Sequence, residues 1–169
     1  IKVPNYNSSG LTDAKIPDAQ AGWEKAMTTL LAAMGGSNYV HHAAGMLNCM
    51  ITVAHEQFVI DDEIIGLCCK VLAGIPTDPE SLALEVIESA AQGEDFIKSA
   101  HTMKHMKTEY FNGNGVTDTK NWDKWINAGG LDARMRARNI AKNILTRASG
   151  IYLADEVDAA IREKYDIRL

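Results

Sequence analysis

The stretch IPDAQAGWEKAMTTLLAAMGGSNYVHHA, residues 16–43, decides the fold. Its first part has the pattern of a helix, because Asp18 can cap the first turn and the Gly35-Gly36 pair can end it. Apolar side chains recur at helical spacing between these ends, and we predict that they form the buried stripe: Trp23, Met27, Leu30, Leu31 and Met34. The segment NYVHHA, residues 38–43, then predicts a short strand.

A second β-prone segment precedes the helix. IKVPNYN, residues 1–7, predicts a strand and runs into the turn cluster NSSG. The order strand, helix, strand with short connections is that of a βαβ unit, in which the two strands pair in parallel. Two strands alone do not make a covered sheet, so we expect the unit to belong to a barrel or a doubly wound sheet.

The remainder of the chain is predicted to be helical. From residue 46 the apolar period is that of a helix over 46–61 and again over 64–72. Further helices are predicted over residues 78–91, 94–111, 122–128, 131–148 and 155–164. Asp78 and Pro79 give the helix over 78–91 its start. Its predicted buried stripe is Leu82, Val86, Ile87 and Ala90.

Composition and charge narrow the class of protein. With a net charge of −5 and a pI near 5.5, the chain lacks the excess of basic residues that nucleic-acid and anionic-membrane binders carry. Small molecules or proteins are therefore favoured as partners. The three cysteines, Cys49, Cys68 and Cys69, fall in apolar helical patterns and suit buried reduced thiols. No apolar run reaches the roughly 18 residues of a membrane helix. We therefore expect a cytoplasmic protein.

Two adjacent histidines, His41 and His42, close the second predicted strand. In barrels the loops at the carboxyl ends of the strands build the active site. The pair is therefore the strongest candidate for active-site residues in this chain. Successive side chains of a strand point to opposite faces, and we expect only one of the two to face a barrel lumen. The alternative is a structural histidine that is satisfied by hydrogen bonds, and the sequence leaves both open.

Polar side chains crowd the loop after the first strand and the start of the next helix. Helix capping explains Asp18, whereas Asp13 and Gln20 are free to contact a ligand at the position where a barrel places its substrate. Three aromatic side chains could offer a face to a cationic ligand: Tyr6, Tyr39 and Trp23. For Trp23 the packing role on the predicted core stripe is favoured.

His101 and His105 have the i, i+4 spacing that places two metal ligands on one face of a helix. The apolar positions of the same predicted helix fall on its other side: Phe96, Ala100, Met103, Met106 and Tyr110. We therefore expect both histidines on an exposed face and no metal. A metal-dependent enzyme with a further ligand elsewhere stays the alternative.

The predicted helix over 131–148 combines basic and apolar side chains. Its basic residues are Arg134, Arg136, Arg138, Lys142 and Arg147, and its apolar stripe is Ala133, Ala137, Ile140, Ala141 and Ile144. A basic run of this kind is usually a solvated face. Docking of an acidic partner or of a second subunit is the functional alternative.

Three strings resemble the trimethylamine methyltransferase family: LTDAKIPDAQAGWEKAMTTLLAAMGGSNYVHHAAGML (11–47), VAHEQFVIDDEIIG (53–66) and HTMKHMKTEYF (101–111). The resemblance runs from about residue 12 to residue 162 and matches the carboxyl-terminal third of the family. It implies an α/β fold, the carboxyl-terminal portion of a (β/α)8 TIM-type barrel followed by a helical tail. Residues 1–45 would hold the last barrel strands and their connecting helix, and residues 46–169 the helical barrel-closing and carboxyl-terminal region of the same domain.

The resemblance also implies an activity. Family members transfer a methyl group from trimethylamine or a related methylated amine to the Co(I) corrinoid of a separate corrinoid protein, in methanogenesis and other methylamine metabolism. The chain has no Asp-x-His-x-x-Gly corrinoid-binding string, so we expect the corrinoid on that partner. Some members contain pyrrolysine, and relatives without it demethylate quaternary amines such as glycine betaine. No pyrrolysine stands in this sequence, and we expect the chain to be a piece of a longer protein, inactive alone. The resemblance gives two alternatives for the full-length protein, one with pyrrolysine and one without it.

Within this interpretation His41 and His42 are the catalytic candidates, which orient the substrate or the corrinoid. Asp13, Gln20 and Tyr39 are the candidates for substrate binding. We expect a homo-oligomer that acts with its cognate corrinoid protein and binds neither nucleic acid nor membrane. A non-catalytic helical interaction module and a quaternary-amine demethylase are the competing hypotheses.

Overall fold

A computed structural model describes residues 3–147 and 153–166 as helices with two small sheets. The strands are β1 (Tyr6–Ser8), β2 (Tyr39–His41), β3 (Met46–Leu47) and β4 (Thr52–Val53). The helices are α1 (Ala19–Met34), α2 (His55–Leu72), α3 (Pro79–Leu82), α4 (Leu84–Ala91), α5 (Ala100–His105), α6 (Trp122–Asn127), α7 (Ala133–Arg147) and α8 (Asp155–Lys164), with a 3₁₀ turn at Phe96–Lys98. The described chain is thus helix-rich, as the sequence predicts.

The predicted βαβ unit is confirmed. Strand β1 pairs with β2 in parallel, with Tyr6 opposite Tyr39 and Ser8 opposite His41, and α1 connects them. Both strands are shorter than predicted. The first begins at Tyr6 rather than at the start of the chain, and residues 1–2 lie outside the described ranges.

Helix α1 begins and ends where the sequence predicts. The carboxylate of Asp18 accepts a hydrogen bond from the backbone N–H of Ala21 at 3.1 Å, which caps the first turn. Gly35 ends the helix, and its own N–H is bonded to the carbonyl of Leu31 at 2.9 Å. These local signals fix the bounds of the helix.

The face that α1 buries is not the apolar stripe expected from the sequence. Four predicted core side chains are exposed: Trp23, Met27, Leu31 and Met34. The buried positions are Ala21, Lys25 and Thr29. The reason is the neighbouring helix, because α1 packs on α2 with Asp61 inside the contact, where it pairs with Lys25. The observed orientation of α1 is the one that buries the Lys25–Asp61 ion pair between α1 and α2.

The helix predicted over 46–61 is wrong in its first half. Residues 46–53 form the antiparallel hairpin of β3 and β4, and α2 begins only at His55 and continues to Leu72 without a break. Asn48, Cys49 and Met50 have φ of 50°, 51° and 68°, which no helix tolerates. Their backbone bonds go elsewhere: the N–H of Asn48 is bonded to the carbonyl of Ala14 at 2.8 Å. Contacts with the loop after β1 therefore override the helical period.

The helices predicted over 78–91 and 94–111 are each interrupted. Asp78 caps α3 as predicted and Pro79 is its first residue, but Ala83 has φ of 51° and separates α3 from α4. Ser99 is extended and caps a new helix, α5, so the helix predicted over 94–111 shrinks to six residues. The predicted buried stripes are wrong in both segments, since most of their large members are exposed: Leu82, Ile87, Phe96, Met103, Met106 and Tyr110.

The carboxyl-terminal helices agree with the sequence. Helices α6 and α8 lie within the predicted ranges, and α7 occupies 133–147 of the predicted 131–148, with residue 148 outside the described chain. Helix α7 packs on α2 through three members of the predicted stripe, Ala137, Ile140 and Ala141, whereas Ala133 and Ile144 are exposed. The resulting core cluster contains Val59, Val116, Ala137 and Ala141, with Ile60 and Ile140 packed against it.

The cysteines only partly follow the prediction. Cys68 is buried, whereas Cys49 and Cys69 are exposed, and all three are free thiols. Cys49 is exposed because it belongs to the turn of the β3–β4 hairpin instead of a helix. Among the described residues, no helix combines the length and apolar character needed to cross a membrane.

Gly10 lies in the loop after β1 and packs against the loop after β2. Replacing Gly10 by alanine is expected to lower the free energy of unfolding by about 2–4 kcal/mol. Its φ is +74°, and an added Cβ would lie 2.8 Å from the Cα of Ala43, a backbone atom that cannot move aside alone. Gly36→Ala is the matched control, because Gly36 has φ of +84° with no atom near the added Cβ. Urea denaturation measures both variants, and equal losses would contradict the close packing of the loops.

Candidate functional site

The candidate site is a cluster of aromatic and imidazole side chains along one face of β1 and β2, with Tyr6 and Tyr39 at the first residues of the strands and His41 at the carboxyl end of β2. Because side chains alternate along a strand, Tyr6 and Ser8 of β1 lie on the same face as Tyr39 and His41 of β2. The rings of Tyr6 and Tyr39 stack with centroids 5.8 Å apart, and the Tyr6 hydroxyl lies 2.5 Å from Nδ1 of His41. Tyr6 and Tyr39 are 59% and 58% exposed, so their faces are open to a ligand.

His42 joins this cluster against expectation. It lies just past β2 with φ of 67°, which breaks the alternation of the strand and turns its side chain onto the face of His41. The two imidazoles stack with centroids 3.5 Å apart, and Nδ1 of His42 lies 2.9 Å from the hydroxyl of Ser8. The prediction that the two histidines face opposite sides is therefore wrong.

Both imidazoles have one ring nitrogen bonded within the cluster. Nδ1 of His41 is bonded to Tyr6 and Nδ1 of His42 to Ser8. In the described ranges neither Nε2 has a hydrogen-bond partner, and both side chains are half-buried. This geometry orients each ring and leaves its second nitrogen available to a ligand.

Asp13 and Gln20, the other predicted ligand contacts, belong to a second group centred on Glu24. One carboxylate oxygen of Glu24 accepts from the backbone N–H of Asp13 at 3.0 Å and from the hydroxyl of Thr12 at 2.5 Å. The other accepts from the side-chain amide of Gln20 at 3.0 Å. The hydrogen bond from the Thr12 hydroxyl is the main cause that lowers the pKa of Glu24, and the hydrogen bond from the Gln20 amide is the next largest. The sequence shows Glu24 in this crowded region but gives no sign of its central place.

The two groups lie at the same edge of the β1–β2 sheet without touching. Ser9 bridges the region, since its N–H is bonded to the carbonyl of His41 at 3.1 Å and its hydroxyl to the carbonyl of Thr28 at 2.7 Å. No hydrogen bond joins Asp13 or Gln20 to the histidines within the described chain. A cleft of about 230 Å³ opens beside Glu24, lined by Leu11, Thr12, Asp13, Glu24, Thr28 and Cys49.

A buried ion pair that the sequence does not reveal lies behind these loops. Nζ of Lys25 is 3.1 Å from Oδ2 of Asp61, and the two side chains are 0% and 1% exposed. Burial raises the pKa of Asp61, although the nearby Lys25 ammonium opposes that shift. The amide of Gln57 donates to Asp61 at 2.7 Å, and its carbonyl oxygen is a buried acceptor without a partner among the described residues.

The expectation that His101 and His105 lie on an exposed face is wrong, because both are half-buried against α3. Nε2 of His101 lies 2.9 Å from the carbonyl of Glu80, and Nε2 of His105 lies 3.3 Å from the carboxylate of the same residue. Their rings approach to 4.3 Å. In the part of the chain that the structure describes, no three His, Cys, Asp or Glu side chains come together as a metal site.

The basic side chains of α7 are partly engaged within the chain. Nε of Arg136 donates to the carbonyl of Val116 at 2.7 Å, and Arg134 lies 3.8 Å from the carboxylate of Glu56. Arg138, Lys142 and Arg147 are exposed. The use of this face for docking stays a prediction.

The amino-acid sequence is similar to a known protein family and to several of its members. The family model described as trimethylamine methyltransferase (MTTB) matches residues 1–168. The glycine betaine methyltransferase of Desulfitobacterium hafniense strain Y51 is 34% identical over 160 residues, which make up 95% of this chain and 33% of that protein. The trimethylamine methyltransferase MttB of D. hafniense strain DCB-2 is 34% identical over 95% of this chain and 32% of its own.

A further relative extends the match to another genus. Trimethylamine methyltransferase MttB2 of Methanosarcina mazei is 38% identical over 143 residues, 85% of this chain and 28% of that protein. The chain therefore spans about a third of the length of the curated relatives that it matches.

Proposed function

The chain belongs to the trimethylamine methyltransferase family, and from this premise we propose that it takes part in moving a methyl group from a methylated amine to the corrinoid of a partner protein. The observation that carries the proposal is the cluster of Tyr6, Tyr39, His41 and His42. It combines two open aromatic faces at the first residues of the parallel strands with two oriented imidazoles at the end of β2. The carboxyl ends of the strands, where the imidazoles lie, are the edge at which α/β barrels place their ligands.

The βαβ unit is proposed to be part of a (β/α)8 barrel. Two features of the described chain support this: the parallel register of β1 and β2, and the apolar face of α1 that no described residue covers. In a barrel, neighbouring helices cover such a face. Residues 1–45 would supply barrel strands and one helix, and residues 46–169 the rest of the same domain, in which the short β3–β4 hairpin precedes the helices.

Recognition of the amine is assigned to the aromatic faces. A methylated ammonium is attracted to the negative face of an aromatic ring within about 6 Å of its centre. Tyr6 and Tyr39 offer two adjacent faces of this kind, and the Tyr6 hydroxyl is held by His41 rather than pointing at the ligand. Asp13 and Gln20 would form a second wall, fixed in place by Glu24.

His41 and His42 are assigned to orient the substrate or the corrinoid face. When bound, the corrinoid of the partner protein would supply a nucleophilic Co(I) that accepts the methyl group from a protonated or quaternary ammonium, which would leave as the neutral amine. The imidazoles fit this role because the stack is half-exposed and each ring has an unbonded Nε2 in the described chain. The chain's own contribution is to hold a methyl carbon in line and to exclude water. Pyrrolysine stays a prediction from the resemblance, since none of the 169 residues is pyrrolysine.

A quaternary amine with a carboxylate, such as glycine betaine, is the second candidate substrate. The glycine betaine methyltransferase of D. hafniense matches 95% of this chain, and two imidazoles beside aromatic faces suit a ligand with an ammonium at one end and a carboxylate at the other. An imidazole N–H donates to a carboxylate, whereas trimethylamine offers no acceptor of that kind. Relative affinity for the two amines therefore distinguishes the candidates.

Replacing Tyr39 by leucine is expected to weaken binding of the methylated amine by about 5- to 30-fold, because a cation–π contact is worth about 1–2 kcal/mol. Tyr39→Phe keeps the ring face and should bind nearly as the parent. Titration calorimetry with trimethylamine and with glycine betaine measures both variants. Tyr110→Leu, at an exposed tyrosine on another segment, is the control. Equal affinity of the parent and Tyr39→Leu would remove Tyr39 from the site.

A further inference from the structure

The Lys25–Asp61 pair is almost completely buried where α1 packs on α2. The two side chains are 0% and 1% exposed and their charged atoms are 3.1 Å apart. Lysine and aspartate are rarely buried to this extent. Two packed apolar side chains would join the helices at least as well, because desolvation offsets much of the attraction between buried charges. The other contacts of the pair indicate what it does.

The remaining hydrogen bonds of Lys25 go to the backbone of the loop after β1 and to that of Met46, the first residue of β3, at which the loop after β2 ends. Its ammonium donates to the carbonyl of Gly10 at 2.6 Å and to the carbonyl of Met46 at 3.1 Å. Gly10 lies two residues beyond the end of β1, and Met46 lies five residues beyond the end of β2. One side chain of α1 thus holds both loops that leave the carboxyl ends of the parallel strands.

Asp61 holds the second of these loops from α2. Its Oδ2 accepts from the backbone N–H of Gly45 at 2.7 Å while it pairs with Lys25, and its Oδ1 accepts from the amide of Gln57 at 2.7 Å. Gly45 has φ of +81°, which glycine adopts without strain, and its N–H is held by Asp61. The pair therefore fixes residues 45 and 46 between two helices.

The loops that the pair holds carry the imidazole cluster. Ser8, which bonds His42, lies two residues before Gly10, and the N–H of Ser9 is bonded to the carbonyl of His41. Gly10 also packs directly on Ala43, next to His42. His42 itself has φ of 67°, an unfavourable conformation for a histidine that the surrounding loop must maintain. A shift of either loop would move the imidazole of His42.

We infer that Lys25 and Asp61 are positioning residues of the methylated-amine site, which set the His42 imidazole by holding the loops after β1 and β2. The inference rests on the proposed function and names two residues that act on that site without touching the substrate. Gln57 supports them by orienting Asp61.

The test separates positioning from stability with the double variant Lys25→Met/Asp61→Leu in the whole protein. Apolar replacement of a buried pair is expected to restore much of the stability lost in either single variant, but it removes every contact to Gly10, Gly45 and Met46. If Lys25 and Asp61 position the His42 imidazole, kcat/KM of the double variant for methyl transfer is expected to fall about 100-fold, mainly through kcat. Amide exchange of residues 39–46, followed by mass spectrometry, is also expected to become at least about tenfold faster. Lys120→Met, at an ion pair of 3.0 Å whose lysine side chain is 52% exposed, is the control and should change neither.

A double variant that is as stable as the parent and keeps the parent kcat/KM and exchange rates would overturn the inference. If the double variant fails to fold, Asp61→Asn takes its place, because it keeps the volume and loses the charge. A fall of about tenfold in kcat/KM and faster exchange of residues 39–46 are then expected, and no change in either would overturn the inference. If the parent protein transfers no methyl group, the proposed function fails, and the exchange of residues 39–46 alone decides the positioning role.

Discussion

Replacing Lys25 by methionine is expected to lower the free energy of unfolding by about 3–5 kcal/mol, because it leaves the Asp61 carboxylate buried without its partner. The side chain of Asp61 is 1% exposed, so water cannot take the place of the ammonium. The carbonyls of Gly10 and Met46 lose their donor at the same time. Urea denaturation followed by circular dichroism measures the loss.

Two comparisons support the interpretation of that loss. Lys120→Met, the same substitution at an ion pair whose lysine side chain is exposed to solvent, is expected to have little effect on the free energy of unfolding. Adding Asp61→Leu to Lys25→Met is expected to recover most of the stability, since no buried charge then remains. A Lys25→Met variant as stable as the Lys120→Met variant would show that the pair is not buried as described.

Replacing His42 by asparagine is expected to lower kcat/KM for methyl transfer about 100-fold, since a reacting group displaced by about 1 Å costs this much. Asparagine tolerates the left-handed backbone at φ of 67°, so the fold should be kept while the imidazole is lost. The stacking on His41 and the bond to Ser8 are lost with it. Steady-state rates of demethylation measure the effect.

The controls for His42 come from the same chain. His55→Asn replaces an exposed histidine at the start of α2 and is expected to leave the rate unchanged. Ser8→Ala removes one hydrogen bond from His42 but keeps the ring, and a smaller loss of the same kind is expected. If His42→Asn has the rate of His55→Asn, His42 is a structural histidine, the alternative that the sequence leaves open.

Local signals in the sequence predict much of the fold. The Asp18 cap, the Gly35 end, the Asp78 cap and the bounds of α8 all depend on residues within one or two turns, and each is confirmed. The parallel βαβ unit follows from the order of its elements. Such features need no knowledge of which elements pack together.

Long-range contacts explain what the sequence could not predict. The spacing of apolar residues identifies α1 as a helix, but the buried face is set by Asp61, which lies 36 positions beyond Lys25 along the chain. The loop after β1 draws the backbone of residues 48 and 49 out of a helical path. Likewise the predicted candidates His41 and Tyr39 meet in one cluster, but the positive φ that brings His42 beside them is set by the loop around it.

Demethylation by the protein purified from its host measures whether the chain acts, as we propose, in methyl transfer from a methylated amine. The assay mixes the protein with the host's corrinoid protein in the Co(I) state and follows loss of trimethylamine, appearance of dimethylamine and the change in the corrinoid absorbance spectrum. We expect the protein to demethylate trimethylamine, or glycine betaine if that is the substrate. The His42→Asn variant should do so about 100-fold more slowly. No demethylation of either amine with an active partner would contradict the proposal and favour a non-catalytic interaction module.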